Sequence, residues 1–230
     1  MFAAGAIFLF WRPVRPPSAT GHHRVALLAG VLVLALGFIS PLCNISVALF
    51  SARETQHIIF TLIAAPLIAC ALIRARASLG DSARGASAVA ATLVFAGVLW
   101  TWHMPAAYDE TLTNNTVYWL MHVSTIGAAL TLWLVAFRSS GLVAFLIVTA
   151  TGLQMSLLGA LLTFAAAPLF TVHALTTSAW GLTWLQDQQL GGLLMWVPAG
   201  LLMTLYSVVA LGSLLNRMNV ADRAPFESVA

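Results

Sequence analysis

The fold of this chain is decided by apolar runs such as residues 87–105, which read SAVAATLVFAGVLWTWHMP. The first sixteen of these residues contain no charged side chain, and His103 and Met104 then precede Pro105. A run of this length, together with its flanks, is close to the roughly 17 residues that a membrane-spanning helix needs. The stretch therefore predicts a transmembrane helix that ends beside an imidazole and a thioether.

The composition indicates that the bilayer is the main solvent of the whole chain. Its 230 residues are 60% hydrophobic and only 7% charged, and the mean hydropathy is +0.93. A soluble domain carries about 25% charged residues, so this chain cannot cover a water-facing surface. All ten basic residues are arginines in short loops between apolar runs. That distribution is typical of a topology signal and excludes a nucleic-acid-binding patch.

Six long apolar runs predict an all-α, polytopic membrane helix bundle that forms one integral membrane domain over residues 1–230. Only helices satisfy the backbone of such runs in lipid. The predicted spans are residues 25–45, 54–73, 87–102, 117–137, 141–166 and 191–215. A further short helix is expected at residues 1–11, which lack the basic start and the cleavage site of a signal peptide. If this helix crosses the membrane, the bundle has seven helices.

The distribution of arginine predicts the orientation of the bundle. Nine arginines lie in one set of loops and near the C-terminus, whereas Arg53 is the only one in the other set. By the positive-inside rule, the arginine-rich side and the C-terminus are cytoplasmic. The longest outer loop is then residues 168–190. Small residues in the last two spans, among them Gly159 and Gly192, predict close helix packing.

Three histidines are predicted at one depth near the outer boundary, since His57, His103 and His122 all lie within roughly 10 Å of it. Each alone is compatible with an interfacial residue hydrogen-bonded to a neighbouring helix. Together they suggest a metal site, because imidazole with thioether suits copper and methionine favours Cu(I). The methionines predicted to complete such a copper site are Met104, Met155 and Met195.

Five polar residues near this layer are candidates for orienting the ligands: Arg53, Gln56, Tyr118, Gln154 and Asp187. Arg53 lies on the helix face of His57, four residues away. Its guanidinium is expected either to extend to the interface or to pair with Glu54, Asp187 or an anionic partner.

The two cysteines, Cys43 and Cys70, are predicted at opposite ends of the membrane, too far apart for a disulfide. Both are interpreted as small apolar residues, and Cys43 is a weaker candidate ligand because it lies on the histidine side. The sequence contains no Ser-His-Asp arrangement and no phosphate-binding glycine loop.

A series of short motifs between residues 37 and 215 carries a family resemblance. The motifs are Ser40-Pro41-Leu42, Leu49-Phe50-Ser51-Ala52, Gln56-His57, Ala65-Pro66-Leu67, Trp102-His103-Met104-Pro105, Tyr108, His122, residues 157–164, Pro168-Leu169-Phe170, residues 187–192 and Met195-Trp196. In this order and spacing they resemble the CtaG-type cytochrome c oxidase assembly factors, polytopic proteins of the bacterial inner membrane.

The resemblance implies a seven-helix protein that assists the assembly of a haem–copper oxidase through the supply or insertion of copper into its catalytic subunit. It therefore implies an assembly factor and not an enzyme. The implied partners are that subunit or other assembly factors. The family usually has a histidine at the position of Arg53, often one at that of Tyr118, and commonly a ligand near Gln154. The resemblance therefore implies either a site reduced to the three histidines with help from methionine, or a member that does not bind metal.

Two other functions remain open at this point. His57 and His122 lie on neighbouring predicted helices, and two such imidazoles can ligate a b-type haem in an electron-transfer protein. Alternatively, the protein is a metal-free scaffold that holds the oxidase subunit through helix contacts. The presence of Arg53 and Tyr118 at family histidine positions fits this second alternative.

Overall fold

The computed structural model describes residues 20–73, 81–139 and 141–227. Its α-helices in chain order are α1 Thr20–Ile39, α2 Pro41–Ala48, α3 Phe50–Ile59, α4 Ala65–Leu72, α5 Asp81–Trp102, α6 Pro105–Thr113, α7 Asn115–Arg138, α8 Gly141–Thr163, α9 Trp184–Trp196 and α10 Pro198–Glu227. These ranges contain no strand, which confirms the predicted all-α class. The short helix predicted at residues 1–11 lies outside the described residues.

Six helical segments of the described chain are long and apolar enough to cross a membrane. They are Gly21–Ile39, Phe50–Leu72, Gly85–Trp102, Asn115–Arg138, Gly141–Thr163 and Trp184–Asn216. Each corresponds to one of the six predicted runs. The prediction of a polytopic membrane helix bundle is therefore confirmed.

The first and last spans have boundaries that differ from the predicted ones, because capping residues decide where these helices begin. The first run is divided at Ser40, whose side chain accepts the Leu42 N–H at 3.3 Å, so α2 starts at Pro41. The last span begins at Trp184, earlier than predicted. Thr183 and Gln186 form a reciprocal capping box there, and Asp187 consequently lies in α9 and not in the outer loop.

The second span contains a wide π-helical turn, Phe60–Ala64, between α3 and α4. Pro66 follows this turn and has no N–H to donate to the carbonyls one turn earlier. Two of those carbonyls are satisfied from other helices instead: Trp133 Nε1 donates to Thr61 O at 2.8 Å, and the Tyr206 hydroxyl donates to Leu62 O at 3.1 Å. The π turn is thus stabilised by side chains of α7 and α10.

The close packing predicted from small residues occurs where α8 crosses α9. A Cβ atom added to Gly192 would lie 2.6 Å from Gly159 O, and one added to Gly159 would lie 2.8 Å from Gly192 O. The two backbones approach this closely only because neither residue has a side chain. This contact places Met155 of α8 and Met195 of α9 on either side of one interface.

Candidate functional site

The three predicted histidines are buried at the same end of the bundle. His57 comes from α3, His103 from the turn after α5, and His122 from α7. The rings of His57 and His122 are in edge-on contact, with centroids 5.5 Å apart. The structure thus brings imidazoles from three separate elements to one end of the bundle, and two of these rings into contact.

Two of the rings are oriented by their own helices. Nδ1 of His103 lies 2.7 Å from Leu99 O, and Nδ1 of His122 lies 3.0 Å from Tyr118 O. If each Nδ1 carries the proton and donates it to the carbonyl, each Nε2 keeps its lone pair. This is the arrangement in which histidine binds a metal ion.

The Nε2 atoms of all three histidines are buried. That of His103 lies 3.3 Å from a Glu54 carboxylate oxygen, whereas those of His57 and His122 have no hydrogen-bond partner in the described chain. Leaving a buried polar atom without a hydrogen bond costs about 1–3 kcal/mol, so these two atoms are exceptions to the general pairing of buried polar groups.

Glu54 is the residue that sequence reasoning missed. Its side chain is 1% exposed, and Oε2 lies 3.3 Å from Nε2 of His103 while Oε1 lies 3.9 Å from Nδ1 of His57. From the sequence, Glu54 is predicted only as a partner of Arg53. The spacing of three residues between Glu54 and His57 was the available signal, because it places both on one helix face.

A small cavity of about 20 Å³ lies between these side chains. It is lined by Glu54, His57, Ile58, Thr61, Leu99, Trp102, His103, Thr125, Met155 and Met195. A cavity needs about 10–15 Å³ to hold one water molecule, so there is room for a single small ion or water. Two of the predicted histidines and two of the predicted methionines therefore meet around one space.

Two of the predicted ligands lie outside this cavity. Met104 is 61% exposed and points away from the bundle interior. His122 is buried but does not line the cavity, and it packs against His57 and against Phe38, whose ring centroid is 5.2 Å away. The cavity therefore offers two imidazoles, two thioethers and one carboxylate.

Arg53 is buried within the bundle and does not pair with Glu54 or Asp187. Its guanidinium is fully buried, and within the described chain no acidic side chain forms an ion pair with it. It donates through Nε to Ser46 O at 3.2 Å and through Nη1 to Thr111 Oγ1 at 2.7 Å. It also contacts the rings of Tyr108 and Tyr118. Arg53 thus joins α2, α3, α6 and α7 above the cavity.

Asp187 fixes the start of the helix that carries Glu54 and His57. Its buried carboxylate accepts the Phe50 N–H at 2.6 Å, the Ser51 N–H at 3.1 Å and the Ser51 hydroxyl at 2.5 Å. The two N–H groups lie in the first turn of α3 and have no acceptor within the helix. The helix dipole also favours a negative charge at this position. Asp187 therefore positions the site from α9 without lining the cavity.

The remaining predicted neighbours make local contacts. Gln56 Nε2 donates to Gly37 O at 2.8 Å, and Gln154 Oε1 accepts from Trp100 Nε1 at 2.9 Å. The Tyr118 hydroxyl lies 3.8 Å from Cys43 Sγ. None of these four residues lines the cavity, so Cys43 is not placed among its donors.

A fourth buried histidine, His173, connects the loop after α8 to this end of the bundle. The Tyr108 hydroxyl lies 2.8 Å from His173 Nε2, and His173 Nδ1 lies 3.2 Å from Ala48 O. Burial lowers the pKa of His173 and raises the pKa of Tyr108, so both side chains are neutral at pH 7. His173 has both ring nitrogens occupied and fastens the loop between α8 and α9 to α2 and α6.

The cavity lining contains few of the nitrogen and oxygen ligands that hard metal ions use. In the described part of the chain, no three His, Cys, Asp or Glu side chains are placed to hold one metal ion. A cation in the cavity would also have to use Met155 and Met195. Thioether ligands select soft cations, of which Cu(I) is the biological case.

Comparison with known proteins identifies the family. No match is found among curated proteins or among solved structures. The sequence does match the family described as cytochrome c oxidase caa3 assembly factor (Caa3_CtaG), over residues 3–217, which is almost the whole chain. This protein therefore belongs to the cytochrome c oxidase caa3 assembly factor family.

Proposed function

We propose that this multi-pass membrane protein holds Cu(I) in the cavity between α3, α5, α8 and α9 and passes it to the catalytic subunit of a cytochrome c oxidase. The observation that carries the proposal is the lining of that cavity, where two imidazoles and two thioethers surround about 20 Å³ of space. The family to which the chain belongs suggests that the recipient is a cytochrome c oxidase. The imidazole and thioether ligands favour Cu(I) as the metal.

The chemistry of the residues that line the cavity suits a monovalent soft cation. His57 and His103 supply neutral nitrogen donors, and Met155 and Met195 supply neutral sulfur donors. Glu54 adds one negative charge within the same wall, which offsets the cost of placing a cation in a low-dielectric interior. No protein group has to be redox-active for this role, because the ion is bound and transferred in one oxidation state.

The haem alternative is disfavoured by space. His57 and His122 are in direct ring contact, with centroids 5.5 Å apart, and the adjoining cavity holds only about one water molecule. A porphyrin cannot enter between these rings without separating α3 from α7. The metal-free scaffold needs no ligand, and the experiment below distinguishes it from copper binding.

The proposed location is the bacterial inner membrane, with the cavity towards the extracytoplasmic side and the C-terminus in the cytoplasm. The support is the distribution of arginine. Nine of the ten arginines are predicted on the side opposite His57, His103 and His122.

The test is anaerobic titration of the purified protein with Cu(I) against a competing chelator. His57→Ala and His103→Ala should each weaken Cu(I) binding by about tenfold or more. Met155→Leu and Met195→Leu should also weaken it, since leucine keeps the volume but removes the sulfur. Matched controls are Met104→Leu and His22→Ala, whose parent side chains are exposed and should have no effect.

Complementation completes the test. Each variant is expressed in a strain that lacks the assembly factor, and copper is quantified on the purified oxidase. The proposal expects the cavity variants to yield copper-deficient oxidase. Full copper loading by all four variants would show that the protein acts as a metal-free scaffold.

A further inference from the structure

A groove on the outside of the bundle lies directly beside the copper cavity. It has a volume of about 410 Å³ and runs between α5 and α7. Its lining residues are Val94, Gly97, Val98, Thr101, Trp102, Leu120 and Ser124. Val94 is 54% exposed and Leu120 is 57% exposed, and both lie within membrane spans. The groove therefore faces lipid.

Residues that are adjacent in sequence line the groove and the cavity from the same two helices. On α5, Val98 lines the groove while the adjacent Leu99 lines the cavity, and on α7 Ser124 and Thr125 divide in the same way. Among the residues that line either space, Trp102 alone lines both. Its indole therefore lies between the groove and the cavity, beside the packed helices α5 and α7.

The indole is held in this position by a single polar contact. Trp102 Nε1 donates to Ser124 Oγ at 2.9 Å, and Ser124 Oγ donates in turn to Met121 O at 3.1 Å. The opposite sides of the cavity are closed by His57 on α3 and by Met155 and Met195 at the tight contact between α8 and α9. Movement of Trp102 is the smallest change that would open the cavity, and it opens it towards the membrane.

We propose that Cu(I) leaves the cavity laterally, past Trp102, to a soft-donor acceptor within the membrane. This inference rests on the proposed copper function and specifies its route and the class of its acceptor. The transfer is a ligand exchange: bonds from copper to imidazole and thioether break as bonds to the acceptor form, and copper remains Cu(I). The indole face also attracts a passing cation. Trp102 thus sets the rate of exchange and leaves the number of ions bound unchanged.

The test uses the full-length protein in lipid nanodiscs loaded with Cu(I). Two phenanthroline-type chelators serve as acceptors: neocuproine, which partitions into lipid, and bathocuproine disulfonate, which stays in water. Trp102→Phe and Ser124→Ala each remove the indole hydrogen bond, and the second keeps the indole itself. Trp100→Phe is the matched control, because Trp100 donates to Gln154 and lines neither space.

Transfer to neocuproine should accelerate about fivefold in Trp102→Phe and Ser124→Ala, the factor expected for loss of one hydrogen bond. Copper stoichiometry and transfer to bathocuproine disulfonate should stay at the wild-type value, and Trp100→Phe should match wild type throughout. Unchanged rates to neocuproine in both variants, or equal acceleration to both chelators, would overturn the lateral route. Wild-type protein that binds no Cu(I) would instead refute the proposed function, and this route with it, before any rate is measured.

Discussion

At the scale of single residues, buried acids organise this end of the molecule. Glu54 faces two histidines across the cavity, and Asp187 caps α3 from a distant part of the chain. Arg53, one residue before Glu54, is bound to a carbonyl and a hydroxyl and lies beside two tyrosine rings. Arg53 Nη2 and one oxygen of Glu54 have no hydrogen-bond partner in the described chain, although both side chains are buried. Incompletely paired charges are costly inside a membrane protein and usually mark a functional region.

Asp187→Asn should lower the free energy of unfolding by about 1.5–3 kcal/mol, because the hydrogen bonds at the start of α3 lose their charged acceptor. Asp109→Asn is the comparison: Asp109 also accepts a backbone N–H, from Thr171 at 3.0 Å, but this contact is exposed. Its loss should therefore cost less. Denaturant unfolding in detergent measures both variants, and equal losses would contradict the assigned role of Asp187.

At the scale of elements, two irregular features position the ligands. The π turn at Phe60–Ala64 follows His57 within the second span and is held by Trp133 and Tyr206. The glycine contact between α8 and α9 brings Met155 and Met195 to the same cavity. The first feature is a departure from α-helical geometry, and the second is an unusually close approach of two backbones. Both lie next to the proposed site.

Gly192→Ala should destabilise the protein by about 1–3 kcal/mol, because the added methyl group cannot fit against Gly159 O and Thr163 N. It should also weaken Cu(I) binding by moving the two methionines apart. Gly127→Ala is the matched control, since nothing lies within 4 Å of an added Cβ there. That change should be neutral or stabilising by up to about 1 kcal/mol. A Gly192→Ala protein with wild-type stability and copper affinity would show that close approach of α8 and α9 is unnecessary.

At the scale of the whole molecule, the cavity lies at one end of a bundle in which α3, α5, α8 and α9 converge. The loop between α8 and α9 covers this end, and Asp109 and His173 fasten it to α6 and α2. In the described chain, the helix ends at the other side carry Arg24, Arg84, Arg138, Arg217 and Arg223. The buried histidines and these arginines therefore lie at opposite ends of the bundle.

The orientation can be tested with single-cysteine proteins in which Cys43 and Cys70 are replaced by serine. A cysteine at Leu175, which is 91% exposed in the loop above the cavity, should react with a membrane-impermeant maleimide added to spheroplasts. A cysteine placed after Ala230 should react only after the membrane is permeabilised. The reverse pattern would place the cavity on the cytoplasmic side and contradict the arginine rule.

The sequence alone predicted six of the spans and the helical class, and it predicted that three histidines lie near one end of the bundle. Hydropathy and arginine placement are local properties of the chain. Predictions of spans and orientation that use them therefore do not depend on how the helices pack. Helix ends were less predictable, because the capping box at Thr183 is a short-range signal inside a stretch interpreted as a loop. Asp187 therefore belongs to a helix that was predicted to begin later.

Only the tertiary structure decided which candidates share a cavity. Depth follows from counting residues, but each residue also turns a side chain by about 100° around the helix axis, and the facing direction depends on the neighbouring helices. For this reason Met155 and Met195 enter the cavity while Met104 points outward, and Glu54 joins two histidines while His122 packs behind one of them. The site is a property of how the helices are rotated against each other, which no single span encodes.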